Sequence, residues 1–93
     1  MNIDALIIKL LEDYPANEDK VREIKMILSE LENKNNIKEN VERLQQICND
    51  LYLVSSTENL IELQVIINGY RYEYDITDPR EVVNIDSGNK FVQ

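Results

Sequence analysis

The chain reads as an α+β domain: three N-terminal helices, two of them paired as a helical hairpin, followed by an antiparallel β-hairpin and a short C-terminal segment. Three observations predict this. Apolar residues recur at spacings of three and four as far as Val54, the period of an amphipathic helix. Both glycines, Gly69 and Gly88, come late, and Pro15 is the only proline before Pro79, so little interrupts helices in the first half. From Leu60 the chain turns rich in β-branched and aromatic residues flanking Asn68-Gly69, a pair favoured in the two-residue turns of β-hairpins.

The first helix rests on Ile3, Leu6, Ile7, Leu10, Leu11 and Tyr14, which share one face. Pro15 disfavours helical geometry at the residue before it, so the helix ends at Tyr14. Asn17 stands as N-cap of the second helix, with Glu18 and Asp19 in the first turn, where negative charge is favoured. Val21, Ile24, Leu28 and Leu31 form its stripe, widened by Met26 and Ile27. In "ENKNNIKEN" only Ile37 is apolar, and residues 33–36 read as a turn. Asn36 with Glu39 resembles a capping box, although Ser or Thr is usual at the first position. The third helix carries Ile37, Val41, Leu44, Cys48 and Leu51, with Ile47 and Val54 beside them. The two stripes are out of heptad phase across the asparagines, which favours a helical hairpin. One unbroken helix is the alternative, since no Gly or Pro forbids it.

"VSSTEN" closes the helical half. Leu60–Ile67 and Tyr70–Ile76 then read as two strands. A two-residue turn at Asn68-Gly69 opposes Ile67 to Tyr70, Val65 to Tyr72, Leu63 to Tyr74 and Ile61 to Ile76, all on one face. The other face pairs Glu62 with Asp75, Gln64 with Glu73 and Ile66 with Arg71. Beyond Ile76, Asp78-Pro79 opens either a short helix to Val83 or a turn into the strand "EVVNI". Ser87 to Asn89 is a turn, and "KFVQ" a last strand or a frayed end. The organisation is one domain over residues 1–93: a helical part at 1–55, the hairpin at 59–76 and a tail at 77–93. No internal repeat or low-complexity tract is evident.

Hydrophobic residues make up 43% and charged ones 30%, a folded rather than a disordered balance. The net charge is −8. Direct binding to nucleic acid or to an anionic membrane needs clustered cations, so neither is expected. No apolar run approaches the ~18 residues of a membrane span. "MNIDALIIKLLEDY" has Asp4 before its apolar run and no small-residue cleavage site, so it does not read as a secretory signal. A lone cysteine forms no internal disulfide, which fits a reducing compartment, and the expected location is cytoplasmic. Eleven asparagines among many Ile and Lys are the mark of an AT-rich genome, such as that of a low-GC bacterium or its phage.

Signatures of chemistry are lacking. With no histidine the commonest general base and neutral metal ligand are gone. Cys48 falls in the apolar stripe of the third helix and reads as a small core residue. Glycines only at 69 and 88 rule out a phosphate loop. Asp75, Asp78, Glu81 and Asp86 match no Ca²⁺ loop spacing. Adjacent acids such as Glu12-Asp13 arise by chance among 18 acids in 93 residues. A catalytic carboxylate needs a shielded pocket, and a core this small, with no polar residue breaking its apolar stripes, offers little room for one. The chain is therefore expected to be no enzyme and to need no cofactor or metal.

What remains is a surface. Tyr70, Tyr72 and Tyr74 are expected on the inner hairpin face against a helix, with rings near the turn, such as Tyr70, reaching a partner. Tyrosine suits interfaces because it orders at little entropic cost. The expected function is a small acidic regulator or inhibitor that occludes a larger, basic, nucleic-acid-binding protein, with a phage- or mobile-element-encoded antagonist as one instance. Tyr70, Arg71, Tyr72, Glu62, Glu73 and Asp75 are the candidate contact residues. Two alternatives stand beside it. One is a structural homo-oligomer built from the Val21–Leu31 and Ile37–Leu51 stripes. The other is a nucleotide binder that stacks a base on tyrosine and holds phosphate with Arg71 or Arg80.

Overall fold

The computed structural model describes residues 2–78, and over that range it is all-helical. The helices are α1 (Ile3–Asp13), α2 (Glu18–Glu32), α3 (Ile37–Val54) and α4 (Glu58–Tyr74), with one 3₁₀ turn at Pro15–Asn17. No strand occurs among the described residues, so the α+β expectation and its β-hairpin are corrected to a four-helix arrangement. The readings made for Pro79 onward lie outside the described residues.

Local chemistry sets the ends of the helices. The Asn2 side-chain oxygen accepts the Ala5 N–H at 3.1 Å and caps α1. Tyr14 closes that helix before Pro15, where the spacing places the break. Asn17 precedes α2, but its side chain makes no capping bond. At the far end of α2 the Lys34 N–H donates to the Leu31 carbonyl at 3.0 Å and the Asn35 N–H to the Glu30 carbonyl at 3.0 Å. Those two bonds form a Schellman closure, and Lys34 takes the left-handed conformation that it needs, with φ 60°. The closure breaks the chain between α2 and α3 without glycine. The capping box expected at Asn36 and Glu39 is not formed. Asn36 is itself left-handed and its side chain caps nothing. Asn40 instead donates its amide to the Asn35 carbonyl at 2.9 Å.

Each helix packs on the next in sequence, and α4 returns against α1. Val21, Ile24, Leu28 and Leu31 of α2 meet Val41, Leu44, Cys48 and Leu51 of α3 in one buried core, joined by Leu6, Ile7 and Leu10 of α1. Burial of such side chains stabilises by roughly 1.5–3 kcal/mol each and is the main force holding the fold.

The helix α4 is where the sequence misleads. Asn-Gly signals a turn, yet the helix runs through both residues, and Gly69 has no positive φ. The cost of glycine inside a helix is about 1 kcal/mol relative to alanine. Against it, Leu60, Leu63 and Ile67 all become fully buried on α1 and α3, a gain several times larger. An isolated two-stranded hairpin has no comparable source of stability. The Thr57 hydroxyl oxygen caps α4 by accepting the Leu60 N–H at 3.2 Å. At the other end Asp75 is left-handed, with φ 54°, and the Ile76 N–H reaches back to the Arg71 carbonyl at 2.8 Å.

Candidate protein interface

Read with a helical period, α4 has two apolar faces. Leu60, Leu63 and Ile67 point inward, with Tyr70 and Tyr74 half-buried on the same side. Successive residues turn by roughly 100° in an α-helix, which carries Ile61, Val65 and Tyr72 to the opposite side. There Ile61 is 50% exposed, Val65 63% and Tyr72 92%. The row of three tyrosines is therefore divided. Tyr70 and Tyr74, four apart, stack with ring centroids 6.4 Å from each other, whereas Tyr72 projects into solvent. The expectation that all three line one face, with Ile61, Leu63, Val65 and Ile67 opposite them, is corrected by the change of period from two to 3.6.

The six candidate contact residues separate in the same way. Glu62, Tyr72, Glu73 and Asp75 are exposed. Tyr70 is half-buried, and burial, with Glu32 and Glu73 nearby, pushes its hydroxyl above the ordinary phenol pKa. Arg71 is buried at 7% exposure, and its Nη1 donates to the Thr77 carbonyl at 3.2 Å. A cation is favoured in the last turn of a helix, and Arg71 serves the C-terminus of α4 rather than the surface. Its Nε has no hydrogen-bond partner among the described residues.

Charge on α4 is one-sided. Glu58, Glu62 and Glu73 run along one edge of the outward stripe, Asp75 follows at the end, and the helix's single basic residue is the buried Arg71. On the other helices four cations are paired locally. Lys20 pairs with Asp50 at 3.4 Å, Lys25 with Asp4 at 3.6 Å, Arg22 with Glu18, and Arg43 grips Glu23 with two bonds of 2.7 and 3.0 Å. The Arg43 guanidinium holds the Glu23 carboxyl below its ordinary range.

The other edge of the stripe is occupied by amides. Gln64 of α4 and Gln45 of α3 exchange two hydrogen bonds, at 2.7 and 2.9 Å. Gln45 also donates to Asn49 at 3.1 Å, and Gln64 to Asn68 at 3.0 Å. Cys48 donates its thiol to Gln64 at 3.5 Å within this cluster and is fully buried. This amide seam was missed by sequence reasoning. The signal was present as Gln and Asn four residues apart on both helices, visible only once the second segment is read as a helix.

A groove of about 730 Å³ opens between the start of α3 and the turn after α4, with Ile37, Tyr74 and Ile76 as its apolar wall. Among the described residues Lys38 is its only cation, against Glu42 and Asp75, and Arg71 does not line it. Two carboxylates to one ammonium disfavour a phosphate there. Arg80, the other proposed phosphate ligand, lies outside the described residues, as do Glu81 and Asp86. Among the described residues no helix is long and apolar enough to cross a membrane. No family model, no curated protein and no solved structure matches this chain.

Proposed function

We propose that the protein is a small acidic, non-enzymatic binding module that acts by occluding a larger basic protein. The observation that carries this reading is the outward face of α4. It holds exposed Ile61, Val65 and Tyr72 beside Glu58, Glu62 and Glu73, with no exposed cation on the helix. Apolar side chains on a solvent face that acids border suit a partner with the reverse charge, approached by electrostatic steering and held by burial. A basic surface of this kind is what a nucleic-acid-binding protein presents, and a phage or mobile-element antagonist of a host nuclease in the cytoplasm would be one instance.

The homo-oligomer reading has less support. The Val21–Leu31 and Ile37–Leu51 stripes that would build it are covered within one chain. The nucleotide reading has less support at Arg71, one of its two named phosphate ligands, which is buried at the end of α4.

The test is capture of partners from the host lysate by the tagged full chain at low and high salt, with native mass measured in parallel. One basic protein is expected, held at low salt and released at high salt. The triple substitution Glu62→Gln, Glu73→Gln, Asp75→Asn is expected to weaken it at least about tenfold. Salt-insensitive capture that survives this variant, or recovery of a discrete oligomer of the chain alone, overturns the reading.

A further inference from the structure

The outward stripe of α4 has the form of one half of a helix pair. Ile61, Val65 and Tyr72 recur every turn or two along roughly 16 Å of helix, and Gly69 lies between that row and the acidic edge. A Cβ built at Gly69 would meet no atom of the described residues within 4 Å, so nothing among them requires the residue to be small. Glycine here weakens the helix while leaving the backbone open to close approach at one point, the arrangement that lets two helices cross tightly. The polar borders are unequal. Glu58, Glu62 and Glu73 are on one side, and on the other Gln64 and Asn68 bond each other while Gln64 also bonds Gln45. A second copy is disfavoured: packed antiparallel it would set its glutamate row against this one, and packed parallel it would set that row against the uncharged Gln64 and Asn68, so neither arrangement supplies a cation to the acids.

We infer that the partner element is an amphipathic α-helix with a row of Lys or Arg along one border of its apolar stripe, docked along Ile61, Val65 and Tyr72 with its closest approach at Gly69. The inference rests on the proposed function and specifies what the partner presents. The apolar row of the incoming helix covers Val65 and Tyr72. Its cations face Glu58, Glu62 and Glu73, and the uncharged amide border leaves the other side free of charge selection. That asymmetry fixes the direction in which the helix lies.

The probe is a synthetic Leu/Lys peptide with helical spacing, titrated into the ¹⁵N-labelled full chain. A scrambled peptide of the same composition serves as the control for charge alone. Amide shifts are expected to concentrate between residues 58 and 75, with the scrambled peptide at least about tenfold weaker. Gly69→Leu is expected to weaken the helical peptide by a similar factor while the variant melts no lower than the parent. Equal binding of both peptides, shifts centred outside α4, or full affinity in Gly69→Leu would each overturn the inference. A basic host protein captured in a salt-dependent way in those cases would leave the acidic-module reading standing.

Discussion

The Tyr14 hydroxyl donates to the Ser55 carbonyl oxygen at 2.7 Å across 41 residues of sequence. Tyr14 ends α1, and Ser55 begins the connection from α3 to α4. The same hydroxyl lies 3.2 Å from the Thr57 hydroxyl that caps α4, and one residue earlier Asp13 accepts from Asn59 at 2.8 Å. The end of the first helix is thus fastened to the start of the last. Tyr14 is only 1% exposed, so Tyr14→Phe leaves the ring in place and removes a buried bond. The expected cost is about 1–2 kcal/mol. For a domain this small, each kcal/mol lowers the melting temperature by roughly 4–8 °C. Urea and thermal unfolding check it, and parental stability in the Phe variant would show that the bond contributes nothing net.

The Gln45–Gln64 pair makes a prediction of opposite character. Gln45→Leu or Gln64→Leu alone removes both bonds of the pair and leaves the other amide with its Asn four residues on, Asn68 or Asn49, and each is expected to cost about 1–2 kcal/mol. The double variant removes both amides and is expected to recover most of that loss. A double-mutant cycle by urea denaturation measures the coupling. Additive losses would mean that each glutamine bonds water as well as it bonds the other.

Glu23 and Arg43 tie α2 to α3 at the surface. Bonding to Arg43 lowers the Glu23 pKa in the folded chain below its unfolded value. The pair therefore contributes at neutral pH and loses its contribution as the pH falls through the folded pKa, below the ordinary glutamate range. Both side chains are partly solvated, so Glu23→Gln is expected to cost no more than about 1 kcal/mol at pH 7. The difference from the parent should vanish in strong acid. Unfolding curves at neutral and acidic pH, at low and high salt, test this, and a difference that grows on acidification would contradict the assigned cause.

The first three helices were legible because their evidence was redundant. Leu6, Leu10, Val21, Leu28, Val41 and Leu51 repeat at one period only, and Pro15 and the asparagine turn punctuate them. The last helix was not legible, because Ile61, Leu63, Val65 and Ile67 satisfy an alternating pattern while Leu60, Leu63, Ile67, Tyr70 and Tyr74 satisfy a helical one. Asn68-Gly69 tipped the choice toward a hairpin. What decides between the periods is the core formed by α1 and α3, which offers a slot for a helix and nothing for a strand pair to join. The candidate surface suffered from the same error. Glu62, Glu73 and Asp75, read on the polar face, are exposed in the helix as well, but Tyr72, read on the inner face, turns out to solvent, and Arg71, read on the outer face, turns inward.

Gly69→Ala separates the two conformations of this segment directly. In a type I′ turn Gly69 would need positive φ, and alanine would be strained there. In α4 the residue is exposed, has no positive φ, and has open space where a Cβ would stand. Alanine is the best helix former and glycine the poorest after proline, so the substitution is expected to stabilise the protein by about 0.5–1 kcal/mol. Helical content by circular dichroism should hold or rise, and the urea midpoint should move up without a change in slope. A midpoint that falls by a comparable amount would mean that residue 69 is not helical in solution, and the outward stripe of Ile61, Val65 and Tyr72 would not exist as described.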